Sequence, residues 1–166
     1  MSDSVLRVGI SDYKICRSPQ KIGTMGLGSC MGVLIFDRST GICGMAHVML
    51  PDSKKITSET NRKKFADTCL QDMYDEMVSE GISPANRLVA KIAGGAKMFS
   101  QKMNNEFLNV GAQNYLAVCR KLAVLNIPVL SEDVGGTRSR TVTFDPMTEE
   151  LSIRVVEEEG IHEYII

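Results

Sequence analysis

The chain has 166 residues, 43% of them hydrophobic, which sizes it for one domain with a real core. Nineteen basic residues against twenty acidic leave a net charge of −1, a balance that excludes a general nucleic-acid or polybasic membrane binder. Five cysteines, an odd count with no CxxC pair, argue against a disulfide scaffold and a compact zinc site, so free thiols are expected and no metal.

Val5–Ile10 reads as a short strand. The opening MSDSVLRVG has no basic region followed by an apolar one, so no signal peptide is expected and the cytoplasm is the expected location. The longest uncharged stretch, Ile22–Phe36, has 15 residues and four glycines, too short and too broken to span a bilayer. Gly32–Asp37 and Gly41–Leu50 read as two strands joined by the turn DRSTG, a hairpin that ends at Pro51. Asp52–Lys64 is polar and carries Lys54, Lys55, Arg62, Lys63 and Lys64. It reads as an exposed loop running into a helix over Asn61–Glu80. Phe65, Ala66, Cys69, Leu70, Met73, Tyr74 and Met77 form the apolar stripe of that helix, and Gly81 ends it.

A strand over Arg87–Ala93 leads into Gly94-Gly95. A second helix is expected over Gly111–Leu125, with Ala112, Tyr115, Leu116, Cys119 and Leu122 buried and Asn126 as its left-handed terminus. Pro128–Glu132, Ser139–Asp145, Glu150–Glu157 and Ile161–Ile166 read as strands. Two main helices among roughly seven or eight strands imply an α+β fold: a single domain over 1–166, with a mixed or antiparallel, sandwich-like β core.

The most informative segment is Thr24-Met-Gly-Leu-Gly-Ser-Cys30. Glycines before a cysteine allow close backbone approach, and adjacent N–H groups near Gly28 and Ser29 can aim at one oxyanion. The same pattern also fits a tight turn before a buried thiol. It is neither a phosphate loop nor a dinucleotide fingerprint, because the required lysine and third glycine are missing. His47 stands in an otherwise apolar strand, where its ring needs a partner. If the hairpin pairs antiparallel, Cys30 and His47 meet at one end of it, as thiol–imidazole chemistry requires, and the imidazole is expected to raise the thiolate fraction of Cys30. Thr24 is a candidate to orient the ring. Asp37 belongs to the far end of the hairpin, and His162, after Glu157–Glu159, ranks below His47. A redox-sensing role for the thiol is disfavoured by the lack of a resolving cysteine nearby in sequence.

These residues resemble the CheD family, the chemoreceptor glutamine deamidases of bacterial chemotaxis. The resemblance rests on Thr24-Met-Gly-Leu-Gly-Ser-Cys30-Met-Gly-Val, Gly44-Met-Ala-His47-Val-Met-Leu-Pro51, Ala90-Lys-Ile-Ala-Gly-Gly-Ala-Lys-Met-Phe99 and Ile127-Pro-Val-Leu-Ser-Glu-Asp-Val-Gly-Gly136, with Asp12-Tyr13. It implies that Cys30, His47 and Thr24 are catalytic and that selected glutamines of receptor signalling helices become glutamate, without a cofactor. It also implies partnership with receptor cytoplasmic domains and the CheC phosphatase, recruitment to receptor clusters, and no membrane insertion. Family members differ in how much they catalyse and how much they bind, so a mainly regulatory binding protein is the alternative. One departure is Gln113, in Val110-Gly-Ala-Gln-Asn114, where the family commonly has arginine.

Overall fold

A computed structural model describes residues 4–82, 88–98 and 109–166. In chain order the strands are β1 (Val5–Val8), β2 (Asp12–Arg17), β3 (Lys21–Leu27), β4 (Met31–Asp37), β5 (Ile42–Val48), β6 (Leu88–Gly94), β7 (Val129–Val134), β8 (Arg140–Asp145), β9 (Glu150–Glu157) and β10 (Gly160–Ile165). The helices are α1 (Ala66–Ser79), between β5 and β6, and α2 (Val110–Val124), between β6 and β7. The strands form two five-stranded sheets, ordered β1-β3-β8-β9-β10 and β2-β5-β4-β6-β7. Both are mixed, because β1 runs parallel to β3 and β6 parallel to β7 while the remaining neighbours are antiparallel.

Every residue of β4 and β5 is buried. Successive side chains leave a strand on opposite faces, so both faces of these two strands are covered. Met31, Val33, Ile35, Ala46 and Val48 pack against Cys69, Leu70 and Met73 of α1 and Val118 and Leu122 of α2. Leu34, Phe36, Cys43 and Met45 point the other way, onto Ile22, Leu27, Val142, Phe144 and Ile153 of the other sheet. The result is three layers: a sheet, a second sheet, and two helices on the outer face of the second. The expected α+β sandwich is therefore present. No helix among the described residues is long and apolar enough to cross a membrane.

The hairpin pairs antiparallel from Met31↔Val48 to Phe36↔Cys43. Its turn is held by Asp37, whose carboxylate accepts from the Ser39 amide and hydroxyl and from Thr40 Oγ1. Burial pushes that carboxyl up, but these bonds together hold it below the usual carboxylate range.

The structure departs from the sequence expectations in four places. Asp12–Arg17 and Lys21–Leu27 are strands; the first is a half-exposed edge strand and the second is interrupted by a bulge between Thr24 and Leu27. The first helix begins at Ala66, not Asn61. Asn61 caps a separate 3-10 turn over Arg62–Lys64, and Phe65 is extended and bridges to Leu50. The buried face of α2 is Gly111, Asn114, Val118 and Leu122, whereas Leu116 is 53% exposed. Ala112 and Leu116, expected on the buried face, are both exposed, and Asn114 takes a place on it. Finally, β7 extends to Val134, past the expected end at Glu132. Arg87, the expected start of the strand over 87–93, and Phe99 lie outside the described residues.

Candidate active site

The register of the hairpin sets the site. Gly32 stands directly across from His47, and Cys30 precedes Gly32 by two residues. Cys30 packs with Leu27 and Leu34 between the sheets, while Met31 packs toward the helices. Cys30 and His47 therefore share one face at one end of the hairpin, as diagonal neighbours. Asp37 is at the opposite end.

Thr24 reaches this face from the other sheet. It sits on β3, paired with Val8 of β1 and Val142 of β8, and its side chain has no solvent exposure. The Thr24 hydroxyl donates to the Val8 carbonyl at 2.7 Å. A hydroxyl has one proton, so the second contact of Oγ1, 2.7 Å from His47 Nδ1, must be one in which Nδ1–H donates. That assignment fixes the tautomer: Nδ1 carries the proton and Nε2 carries the lone pair. Nε2 is itself buried and has no hydrogen-bond partner among the described residues. The arrangement presents a neutral imidazole with its basic nitrogen uncommitted, on the face that also holds a thiol.

Burial pulls His47 down from 6.5 to about 4. Burial also pushes the Cys30 thiol up, only partly offset by a backbone hydrogen bond. At neutral pH the resting pair is thus a thiol and a neutral imidazole. The expected enrichment in thiolate is corrected here: burial disfavours both charged forms.

Cys30 is 7% exposed and lines a cleft of about 250 Å³ with Ser29, Met49, Lys97, Met98 and the start of α2 at Asn109–Gly111. A helix N-terminus facing a cleft favours negative charge there. The close approach depends on glycine. A Cβ on Gly111 would lie 2.4 Å from the Ala96 carbonyl oxygen, and one on Gly94, whose φ is +115°, 2.2 Å from the Cys30 carbonyl oxygen. The Gly94-Gly95 and Gly135-Gly136 corners meet through Gly135 N–H donating to Gly94 O. Buried Arg140 of β8 locks this region, donating to Asp133, Gly94 O and Gly135 O.

Sequence reasoning missed Asn114. It is fully buried on α2, and its Nδ2 donates to Ser29 O at 2.9 Å and to Met49 O at 3.0 Å. One amide therefore ties the residue before Cys30 to a residue two beyond His47. The available signal was an amide at helical spacing from Gly111 and Val118.

Gly28 and Ser29 both adjoin the cleft, but the Gly28 N–H is already turned onto Gly26 O at 3.0 Å. Its use as an oxyanion donor is therefore corrected, and its contribution is space, since a Cβ there would meet Met98 at 3.0 Å. Gln113 lies in a separate groove with Pro51, Lys54, Lys55 and Arg120. His162 is exposed on β10, with Nε2 3.4 Å from Glu157. With Glu157 and Glu159 it makes, among the described residues, the one grouping spaced like metal ligands, in an exposed acidic turn outside the cleft.

Comparison with known proteins bears on what such a site does. A family model described as CheD chemotactic sensory transduction matches residues 49–155. The chemoreceptor glutamine deamidase CheD of Bacillus licheniformis is 46% identical over 156 residues, which cover 93% of this chain and 92% of that protein. The Bacillus subtilis protein of the same name is 44% identical over 155 residues, 93% of each chain. A probable chemoreceptor glutamine deamidase CheD of Caldanaerobacter subterraneus is 44% identical over 144 residues, 87% of this chain and 88% of its own. Among solved structures, a Neisseria meningitidis protein of the DUF152 family superposes with a TM-score of 0.48 at 12% identity, covering 79% of this chain and 63% of its own.

Proposed function

The chain belongs to the CheD family, and from that premise we propose that it deamidates glutamine side chains of chemoreceptor cytoplasmic helices by a cysteine–histidine mechanism. The observation that carries the mechanism is the relay from His47 Nδ1–H through the Thr24 hydroxyl to Val8 O, which leaves Nε2 free as a base on the face shared with Cys30.

In the proposed reaction Sγ of Cys30 attacks the side-chain amide carbon as its proton passes to His47 Nε2. A carbon–sulfur bond forms and the carbonyl electrons move onto oxygen. The backbone N–H groups of Ser29 and Cys30, with the N-terminus of α2, receive that oxyanion. The imidazolium then returns the proton to the departing nitrogen, the carbon–nitrogen bond breaks, and ammonia leaves. Water, deprotonated by Nε2, hydrolyses the thioester to glutamate and restores the thiol. A low affinity of His47 for protons serves both halves. The ring is neutral and ready to accept at neutral pH, and its cation is a strong acid toward the leaving group. Because burial disfavours each ion separately, proton transfer belongs to the moment of attack.

The cleft is small, and a glutamine side chain projecting from an exposed helix enters it without unwinding the helix. The reading includes binding as well as catalysis. Receptor clusters in the cytoplasm are the proposed place of action, and CheC is proposed to compete with receptor at the Cys30 cleft. Mass spectrometry of receptor cytoplasmic fragments tests the reaction: conversion of specific glutamines to glutamate is expected with the wild type and absent with Cys30→Ala. Conversion that persists in Cys30→Ala overturns it. Titration of CheC against both proteins tests the rest, since Cys30→Ala changes little volume and should keep the affinity.

A further inference from the structure

Two of the five thiols have no part in the chemistry above and lie side by side. Cys16 of β2 and Cys43 of β5 are directly paired in the ladder, and their sulfurs are 3.3 Å apart. Both project between the sheets. Cys43 has no solvent exposure, while Cys16, on the edge strand, is partly exposed. Twenty-six residues separate the two in the chain, and only the strand register brings them together.

We propose that Cys16 and Cys43 form a peroxide-convertible dithiol, with Cys16 as the attacking thiol, Cys43 as the resolving thiol and an intramolecular disulfide as the product. The roles follow from the surroundings. Cys16 is the member a small oxidant can reach. Its S–H donates to Gln20 O at 3.5 Å, which leaves its sulfur to accept from the Cys43 thiol. That bond from Cys43 lowers the Cys16 thiol while burial opposes, and it pushes the Cys43 thiol up together with burial. In the first step the Cys16 sulfur displaces water from hydrogen peroxide and becomes a sulfenic acid. In the second, the Cys43 sulfur attacks that sulfenic sulfur, the sulfur–oxygen bond breaks, and the Cys43 proton leaves with hydroxide as a second water. Two thiols lose two electrons and one peroxide gains them. Closing from 3.3 Å to a bond of about 2.0 Å requires only small rotations of two facing side chains.

The product staples the edge strand β2 to the strand that bears His47, four residues beyond Cys43 on the same face. The closed loop, residues 16–43, contains Thr24 and Cys30.

Peroxide treatment of the full chain, alkylation of the remaining thiols and tryptic mapping test the proposal. Cys16, Cys30 and Cys43 fall in separate tryptic peptides, 15–17, 22–38 and 39–54. The expected product is peptide 15–17 cross-linked to peptide 39–54, released by dithiothreitol, with a raised urea midpoint for the oxidised protein. In Cys43→Ser a sulfenic-acid trap should label Cys16, and in Cys16→Ser it should leave Cys43 unlabelled, so either variant alone is informative if the other folds poorly. Full alkylation of both residues after peroxide, or a disulfide joining either of them to another cysteine, overturns the proposal.

Discussion

Replacing Thr24 with valine exchanges its hydroxyl for a methyl of similar size at a position with no solvent exposure. Two hydrogen bonds of 2.7 Å disappear with it. The His47 Nδ1–H then points at a methyl group, and the ring is relieved of that penalty by moving its proton to Nε2, where it can no longer act as the base. A bond from a neutral donor is worth about 0.5–1.5 kcal/mol and one from a charged donor about 1.5–3 kcal/mol. The excess of roughly 1–1.5 kcal/mol is realised only when the imidazolium forms, and it alone accounts for about a tenfold loss of rate. The tautomer penalty extends the expected loss to about 10- to 100-fold. Thr24→Ser keeps the oxygen and should recover most of the rate. The assay is single-turnover deamidation of a receptor fragment, with urea denaturation run in parallel. A Thr24→Val enzyme at the wild-type rate would refute the relay. So would a Thr24→Ser enzyme as impaired as Thr24→Val while equally well folded.

Burial pulls His47 down from 6.5 to about 4, so the unfolded chain takes up a proton near pH 6.5 that the folded chain refuses until about pH 4. This contribution to stability is present above pH 6.5 and is lost as the pH falls toward 4. It amounts to about 3 kcal/mol, and urea midpoints of wild type and His47→Gln across that window should show a steeper acid loss for the wild type. Asn114→Ala leaves the Ser29 and Met49 carbonyls unpaired and should cost about 1–3 kcal/mol for each one that stays buried. Asn114→Asp should be no better, since a carboxyl with one proton cannot donate to two carbonyls; chemical denaturation of both variants checks this. Gly94→Ala drives a Cβ onto the Cys30 carbonyl at a positive φ, for an expected cost of about 2–4 kcal/mol and a melting temperature lower by roughly 5–15 °C, read by circular dichroism.

The parts of this protein legible in its sequence are those with strong local patterns. The uncharged run into β4, the turn around Asp37 and the apolar run of β5 define a hairpin, and antiparallel pairing alone puts Cys30 and His47 at one end of it. The strict alternation of burial along Glu150–Glu157 is likewise visible as alternating residue types. Features that depend on distant partners were not legible. Lys21–Leu27 has two glycines and a bulge, so it looks like a loop until β1 and β8 are seen on either side of it. Asn114 looks like a surface residue until the two carbonyls it serves are in place. Ala66 starts a helix with no side-chain cap, because Phe65 is held by its bridge to Leu50, and a search for capping residues stops at Asn61. Cys16 and Cys43 are neighbours only once β2 is recognised and its register with β5 is known.

The relay has a mechanical side. The proposed nucleophile and base, Cys30 and His47, ride on one sheet, while the groups bonded to the imidazole relay, Thr24 and the Val8 carbonyl, ride on the other. The gap between the sheets therefore acts as a caliper on the imidazole. A change that let the two layers drift apart by a few tenths of an ångström would stretch the Thr24–His47 contact without touching either residue or the cleft. Packing between the sheets, including the tilted Phe36–Phe144 pair, then matters for proton placement as well as for folding, and a methylene trimmed from that interior could silence the chemistry at a distance.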